Sequence, residues 1–208
     1  MKKILLLVSV LLFLAGTGMT HAQERITDYF YPDGRSSYLI YKGDKDNSQP
    51  VEKISVRFES TSRWGRMDEY PPIPLIGNIM YQSLMETTCY SLDISDTAVT
   101  AHSWWKESGT PKSRGNVYHN LVLLKLPADK ETLNWTTSVN KDGTVLQIWE
   151  MSARRVLMPA EENGSWIAVH ALEVKRNVFD AEHNPIPREN VIEYWRQGKG
   201  KVKVVRNI

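Results

Sequence analysis

The residues of this chain that stand out for their chemistry are its tryptophans, which number 7 among 208 residues. Trp104 and Trp105 are adjacent, and adjacent side chains of a strand point to opposite faces, so one ring is exposed if only one face is covered. Trp64 lies in a polar run, residues 62–66. Exposed indole rings anchor apolar ligands or stack on sugars. These three tryptophans are therefore the candidate binding residues. The remaining tryptophans of strand-like segments are predicted to be structural: Trp135, Trp149, Trp166 and Trp195.

The histidines offer no local metal site. Those that follow residue 22 are His102, His119, His170 and His183. None stands in a His-x-His or His-x-x-x-His pair, and the chain has no Cys-x-x-Cys pair, the spacings that hold a metal from one segment. Asp44, Asp46 and Asn47 resemble the start of a calcium loop, but the required glycine and closing glutamate are missing. The sequence therefore predicts no metal and no cofactor.

Nucleophile motifs are also absent. The chain contains no Gly-x-Ser-x-Gly elbow, no Ser-x-x-Lys set with its partner motifs and no phosphate-binding glycine loop. Adjacent carboxylates such as Asp68 and Glu69 diverge in a strand or loop, so they do not form a glycosidase pair. We predict no catalytic residue and a protein that is not an enzyme. A hydrolase site assembled from distant strands remains an alternative, and it requires a cleft where His102, His119 or His183 meets a carboxylate or a serine within hydrogen-bond reach.

The N-terminal segment has the pattern of a cleavable secretory signal peptide. Lys2 and Lys3 precede an apolar run, residues 4–15, and the small residues Thr20 and Ala22 fit the cleavage rule. The run is shorter than the roughly 20 residues that span a membrane. We expect residues 1–22 to be removed and residues 23–208 to form a single β-rich domain outside the cytoplasm, periplasmic or secreted.

The only cysteine, Cys89, lies far from the predicted cleavage site. It cannot carry a lipid anchor there, and one cysteine cannot form an internal disulfide. A small buried side chain is the expected role for it. The fold must therefore be stabilised by its hydrophobic core.

The charge balance gives no support for nucleic acid as a partner. The chain has 26 basic and 24 acidic residues, and loss of Lys2 and Lys3 leaves 24 of each, a formal net charge of zero. A neutral chain lacks the electrostatic basis for binding polyanions. Beyond the signal segment no apolar run is long enough for a transmembrane segment. Lys201 and Lys203 alternate with valines, which predicts the solvent face of a strand.

Apolar residues at every second position dominate the chain after residue 35. In residues 53–59 they place Ile54, Val56 and Phe58 on one face, and roughly ten such segments are rich in β-branched and aromatic residues. Asp-Gly and Asn-Gly pairs at residues 33–34, 142–143 and 163–164 predict tight hairpins. The sequence therefore predicts a mostly β fold: a curved antiparallel sheet, half-barrel or sandwich, with at most one or two short helices.

One segment, residues 75–86, departs from this alternation. It follows Pro74 and places Ile76, Ile79, Met80 and Leu84 near one helical face, which predicts a helix. Such a helix would cover the concave face of a curved sheet.

The C-terminal third carries a resemblance. After Asn134-Trp135 and Asp142-Gly143, the chain ends in the aromatic pair Tyr194-Trp195, the turn Gly198-Lys199-Gly200 and a Val-Lys strand. This ending resembles that of uncharacterised bacterial envelope domains. The sequence departs from their pattern at Lys201, where an apolar residue is usual, and at Trp195, where tyrosine is commoner. The resemblance implies a curved sheet without an assigned catalytic centre, similar to lipoprotein-carrier-like half-barrels in which a sheet wraps a helix and shelters an apolar ligand.

These patterns lead to one expectation and two alternatives. The expectation is a non-catalytic envelope binding module for an apolar or glycan-like ligand, which predicts an apolar concavity of at least roughly 300 Å³ and is overturned by a sheet face filled solid by its own side chains. One alternative is a structural or interaction subunit of an envelope complex, which requires an exposed apolar patch or an unpaired edge strand. The other is the hydrolase with a site assembled from distant strands.

Overall fold

The structure is a computed structural model that describes residues 24–30, 35–42, 50–60, 75–82, 87–107, 113–128 and 131–206. The predicted signal peptide, residues 1–22, lies outside the described residues. One short helix, α1 (Thr27–Phe30), precedes the strands, and a 3-10 helix spans Pro187–Glu189. The strands are β1 (Arg35–Lys42), β2 (Pro50–Ser60), β3 (Leu75–Gln82), β4 (Thr87–Ile94), β5 (Ala98–Glu107), β6 (Ser113–Lys125), β7 (Leu133–Lys141), β8 (Thr144–Glu162), β9 (Ser165–Asp180), β10 (Val191–Arg196) and β11 (Gly200–Arg206).

All eleven strands belong to one sheet with the order β6-β5-β4-β3-β2-β1-β11-β10-β9-β8-β7. Neighbours pair antiparallel, except that β1 and β11 pair parallel, with Ile40 opposite Val204. Two chain-ordered meanders, β1 to β6 and β7 to β11, are thus joined along the first and last strands. The prediction of a mostly β, antiparallel fold with few helices is confirmed.

The sheet curls until its two end strands meet. The Val122 N–H of β6 donates to Thr137 Oγ1 of β7 at 3.0 Å, and the Trp135 indole N–H donates to the Val122 carbonyl at 3.1 Å. These strands occupy opposite ends of the sheet order, and among the described residues no backbone ladder joins them. The contacts of this seam are made through the side chains of Thr137 and Trp135. The curled sheet encloses a concave face.

The hydrophobic core lies on this concave face. Along β7 the buried residues alternate, with Trp135, Thr137 and Val139 turned inward. Leu172 and Val174 of β9 are also buried, and burial of such side chains contributes about 25 cal/mol per Å² of apolar surface. Trp135, Trp149 and Trp195 are buried as predicted. The structural role predicted for Trp166 is wrong, because its side chain is 73 % exposed.

The predicted helix over residues 75–86 is wrong. Residues 75–82 form β3, which pairs with β2 and β4 along both edges, and residues 83–86 lie outside the described residues. Ile76 and Ile79 are β-branched and Gly77 is a poor helix former, so local propensity favours a strand. Apolar residues at both odd and even positions fit a strand that is covered on both faces as well as they fit a helix.

A different helix, α1, packs against the sheet, and the sequence pattern did not indicate it. Ile26, which precedes it, and Tyr29 are buried, and the Ile26 N–H donates to the Asp96 carbonyl at 3.2 Å. The Gly198 N–H donates to the Asp28 carbonyl at 2.7 Å. These bonds tie α1 to the β4–β5 and β10–β11 turns, at one end of the curled sheet. Neither this helix nor any other in the described part has the length and apolarity to cross a membrane.

Two of the predicted hairpin turns are confirmed. Asp142 and Gly143 have φ values of 50° and 82°, and Asn163 and Gly164 have φ values of 53° and 78°. Positive φ at both central residues is the requirement of the type I′ turn that connects twisted strands. The third predicted turn, residues 33–34, lies outside the described residues.

Candidate functional site

The concave face contains a cavity of about 210 Å³. We refer to it as the concave cavity. Its aliphatic wall is formed by Leu123, Met151, Val174, Val191 and Val204. Its aromatic wall is formed by Tyr38, Tyr90, Trp149 and Trp195. Apolar walls of this kind are typical of small-molecule sites, in which a few polar groups fix the orientation of the ligand.

Strand alternation places the lining residues. Val191, Glu193 and Trp195 are every second residue of β10, so all three face the cavity. The neighbouring strands contribute in the same way: Val174 and Arg176 from β9, and Val204 and Arg206 from β11. The register defines rows across the three strands. Val191 pairs with both Arg176 and Arg206, and Glu193 pairs with both Val174 and Val204.

A β-bulge in β11 turns Lys201 into the cavity. Tyr194 pairs with Lys203 but Trp195 pairs with Lys201, so β11 holds one extra residue, Val202. Lys201 and Lys203 therefore point to opposite faces, and the prediction that both face solvent is wrong for Lys201. Lys203 lies over the rings of Tyr41 and Tyr194 on the other face, at 4.9 and 5.7 Å. A bulge reverses the faces on either side of it, which strict alternation cannot foresee.

Lys201 forms a buried ion pair. Its Nζ lies 2.9 Å from Glu193 Oε1, and the two side chains are 10 % and 14 % exposed. The same ammonium lies over the rings of Tyr38 and Trp195, at 5.1 and 4.7 Å. The Trp195 indole N–H donates to Glu193 Oε2 at 3.1 Å. Both carboxylate oxygens of Glu193 are therefore engaged by neighbouring side chains of the cavity wall.

Two arginines add positive charge to the same cavity. The Arg176 guanidinium lies 4.4 Å above the Trp149 ring, and its buried Nε has no hydrogen-bond partner among the described residues. Arg206 lines the cavity from β11, which is separated from the β9 strand of Arg176 by β10. Among the described residues, the lining thus contains three cations, Arg176, Lys201 and Arg206, and a single carboxylate, Glu193.

The pKa shifts of the cavity groups combine burial with the charges of their neighbours. Burial opposes ionisation of Glu193, but Lys201 and Arg176 outweigh it and lower the pKa of Glu193. Burial also lowers the pKa of Lys201, and repulsion from Arg176 and Arg206 adds to the effect of burial against the attraction of Glu193. Burial, followed by the charge of Glu193, raises the pKa of Tyr38. Negative charge is therefore favoured at Glu193, whereas ionisation of Tyr38 in the same cavity is disfavoured.

The structure describes no side chain for any of the three predicted binding residues. Trp64 lies outside the described residues. The backbones of Trp104 and Trp105 belong to β5, where they pair with Tyr90 and Cys89, but their side chains lie outside the described residues. The residues that sequence reasoning missed are the charged ones. The alternation of Lys201 and Lys203 with valines gave no signal for them, because it is also typical of a solvated strand face.

The histidines lie elsewhere. His102 Nε2 is 2.8 Å from Asp93 Oδ2, with both side chains 42 % exposed, but the contact is not aligned as a hydrogen bond. His183 Nε2 is 3.5 Å from Glu150 Oε1 and its ring stacks on Phe179. Neither pair lines the concave cavity. His170 is exposed, and the His119 side chain lies outside the described residues. Within the described ranges, no cluster of three metal-ligating side chains occurs.

A hairpin arm extends from the sheet. β8 pairs with β7 only up to Ala153, and β9 pairs with β10 only from Leu172 onward, so residues 154–171 pair mainly with each other. The arm exposes three large apolar side chains: Leu157 (64 %), Trp166 (73 %) and Ile167 (41 %). One ion pair, Arg196 Nη2 with Glu162 Oε1 at 2.5 Å, ties its tip to the end of β10.

Comparison of the chain with protein-family models, with curated proteins and with solved structures found no match.

Proposed function

We propose that this protein is a non-catalytic binding module of the cell envelope that holds a small apolar or partly apolar ligand in the concave cavity. The observation that supports this function is the cavity itself, whose wall combines aliphatic and aromatic side chains with a few buried charges. The architecture we propose is that of a lipoprotein-carrier-like half-barrel, with α1 in the place of the enclosed helix.

The size of the cavity limits the ligand. Its volume of about 210 Å³ is smaller than the roughly 300 Å³ at which drug-sized pockets begin. It corresponds to about seven water molecules at roughly 30 Å³ each. A short alkyl chain or a single ring fits this space, and a larger ligand would place only one end in it.

An apolar ligand fits the cavity better than a glycan-like one. Sugars are bound by open aromatic faces and by donors that reach their hydroxyl groups. In the cavity Arg176 covers one face of Trp149, and Lys201 covers one face of Trp195. Both indole N–H groups are also engaged, with Gln147 and Glu193. The aliphatic side chains of the wall have no polar group that is already engaged in this way.

Binding of octanol tests this function. Trp149 and Trp195 line the cavity, so we expect octanol to change their fluorescence and to raise the Tm by binding the folded state. Val204→Phe fills part of the cavity and should weaken octanol binding at least about tenfold. Val145→Phe is the matched control, because Val145 is 37 % exposed and lies outside the cavity. Equal binding by both variants, or binding of a short glycan instead of octanol, would contradict the proposal.

The hairpin arm favours a second candidate, an interaction subunit of an envelope complex. Exposed apolar side chains on a projecting hairpin are typical of docking surfaces. A photo-crosslinking residue at position 166, where Trp166 is 73 % exposed, should capture one envelope protein in the native host. The same residue at Glu182, which is exposed on the β9–β10 loop, should not. Crosslinking at neither or at both positions argues against this candidate.

A further inference from the structure

We infer that the ligand carries an anionic group on an apolar chain, and that Arg176 and Arg206 bind that anion. This inference rests on the proposed function, because it assigns a chemical class to the ligand of the same concave cavity. It requires that the two arginines be charged, available and close enough to act on one group.

The charge inventory of the cavity is unbalanced. Lys201 is neutralised by Glu193 at 2.9 Å. The structure records no ion pair within 4 Å between Arg176 or Arg206 and any described carboxylate, and the buried Arg176 Nε has no hydrogen-bond partner there. Glu52 of β2, whose charge also acts on Tyr38, is not part of the cavity lining. The buried Arg176 Nε without a partner costs free energy, so an anion that enters the cavity and accepts from this group is stabilised.

The register places the two arginines on either side of one small residue. Val191 of β10 pairs with Arg176 of β9 and with Arg206 of β11, so the three residues form one row on the same face. Strands lie about 4.8 Å apart, which separates the arginine backbones by roughly 10 Å. Two long side chains span that distance easily, and Val191 leaves the space between them free of charge. A guanidinium binds a carboxylate or phosphate oxygen pair through two parallel hydrogen bonds.

The surrounding rows are apolar and would hold the chain of such a ligand. The next row along β10 contains Val174 and Val204 on either side of Glu193. Met151 of β8 pairs with Arg176 and also lines the cavity. A ligand with its anion over Val191 therefore has aliphatic side chains within reach. Glu193, in that same row, disfavours a second negative charge deeper in the cavity.

The test compares three octyl compounds on the full mature chain by calorimetry. We expect octanoate to bind at least about tenfold more tightly than octanol, and octylammonium to bind more weakly than octanol. Octyl phosphate should behave as octanoate does, since the arginines recognise either anion. Octanol binding equal to that of octanoate overturns the inference but leaves the proposed function intact. Failure of all these compounds to bind overturns both.

Arginine variants locate the anion. Arg206→Gln should weaken octanoate binding about tenfold more than it weakens octanol binding, and Arg176→Gln should do the same. Arg206 is exposed at its end of β11, so its replacement keeps the fold even if that of Arg176 does not. Lys203→Gln, on the opposite face, is the control. A loss of octanoate binding in Lys203→Gln, or equal losses of octanol and octanoate in Arg206→Gln, contradicts the assignment.

Discussion

At the scale of single residues, the most informative position is Lys201. Its side chain is buried in the cavity wall, although lysine is rarely buried without a partner. Its burial could not be predicted, since the alternation of Lys201 and Lys203 with valines indicates one solvent face. The bulge at Val202 separates the two lysines, and only Lys201 meets the carboxylate of Glu193.

The Lys201–Glu193 pair leads to a prediction about stability. Glu193→Gln leaves three cavity cations without a carboxylate, and we expect it to lower the free energy of unfolding by about 3 kcal/mol. Lys201→Met should cost clearly less, about 1 kcal/mol, because Arg176 still neutralises Glu193 and one repulsive neighbour is removed. Urea unfolding at neutral pH measures both values. Lys203→Met, on the opposite face, serves as the control, and a larger cost for Lys201→Met than for Glu193→Gln would contradict the charge inventory.

At the scale of elements, the hairpin between β10 and β11 positions Lys201. Gly198 and Gly200 have φ values of 69° and 73°, and the glycine pair was recognised in the sequence as the point where the last hairpin reverses or bulges. A Cβ added at Gly198 would meet nothing within 4 Å. The cost of replacing this glycine is therefore a backbone cost alone.

Replacement of Gly198 tests that statement. Gly198→Ala should destabilise the protein by about 1–2 kcal/mol, the cost of left-handed backbone for an ordinary residue. Gly198→Asn should cost about half as much or less, because asparagine tolerates this conformation. Denaturant unfolding of both variants gives the difference. Equal losses for alanine and asparagine would mean that side-chain contacts, and not φ, decide the cost.

Most strands were predictable from sequence, and two elements were not. Alternation with Asp-Gly and Asn-Gly turns identified β7, β8 and β9 because those signals are local. The apolar residues of β3 fit both the helical and the strand period, so the sequence predicts a helix there. Pairing with β2 and β4 along both edges makes the segment a strand. α1 has only four residues and no helical stripe; it exists because Ile26 and Tyr29 are buried by the sheet.

At the scale of the whole molecule, the sequence predicts a curved sheet among its alternatives, but it does not predict which strands enclose the cavity or which residues line it. The cavity takes its lining from β1, β4, β6 and the four strands β8 to β11. Which strands lie together depends on the parallel pairing of β1 with β11, a contact between the two ends of the chain. Local patterns carry no information about such a pairing. The composition of the site follows from the sheet order, and the sheet order is a long-range property.

The seam between β6 and β7 completes the curl, and it leads to the last prediction. Thr137 is buried, and its Oγ1 accepts the Val122 N–H at 3.0 Å. Thr137→Val keeps the shape but leaves that N–H without this acceptor, so the free energy of unfolding should fall by about 1–3 kcal/mol. Hydrogen exchange at the Val122 amide should become faster, since the seam opens locally before the sheet unfolds.

Thr137→Ser is the matched variant, because it keeps the hydroxyl and loses one methyl group. It should preserve the slow exchange of the Val122 amide even where it lowers the Tm slightly. If valine and serine accelerate exchange alike, packing and not the hydrogen bond closes the seam. If neither does, other contacts across the seam hold the two ends of the sheet together, among them the Trp135 indole N–H with the Val122 carbonyl at 3.1 Å and Lys125 over the Trp135 ring at 6.0 Å. The cavity that these ends enclose then does not depend on Thr137.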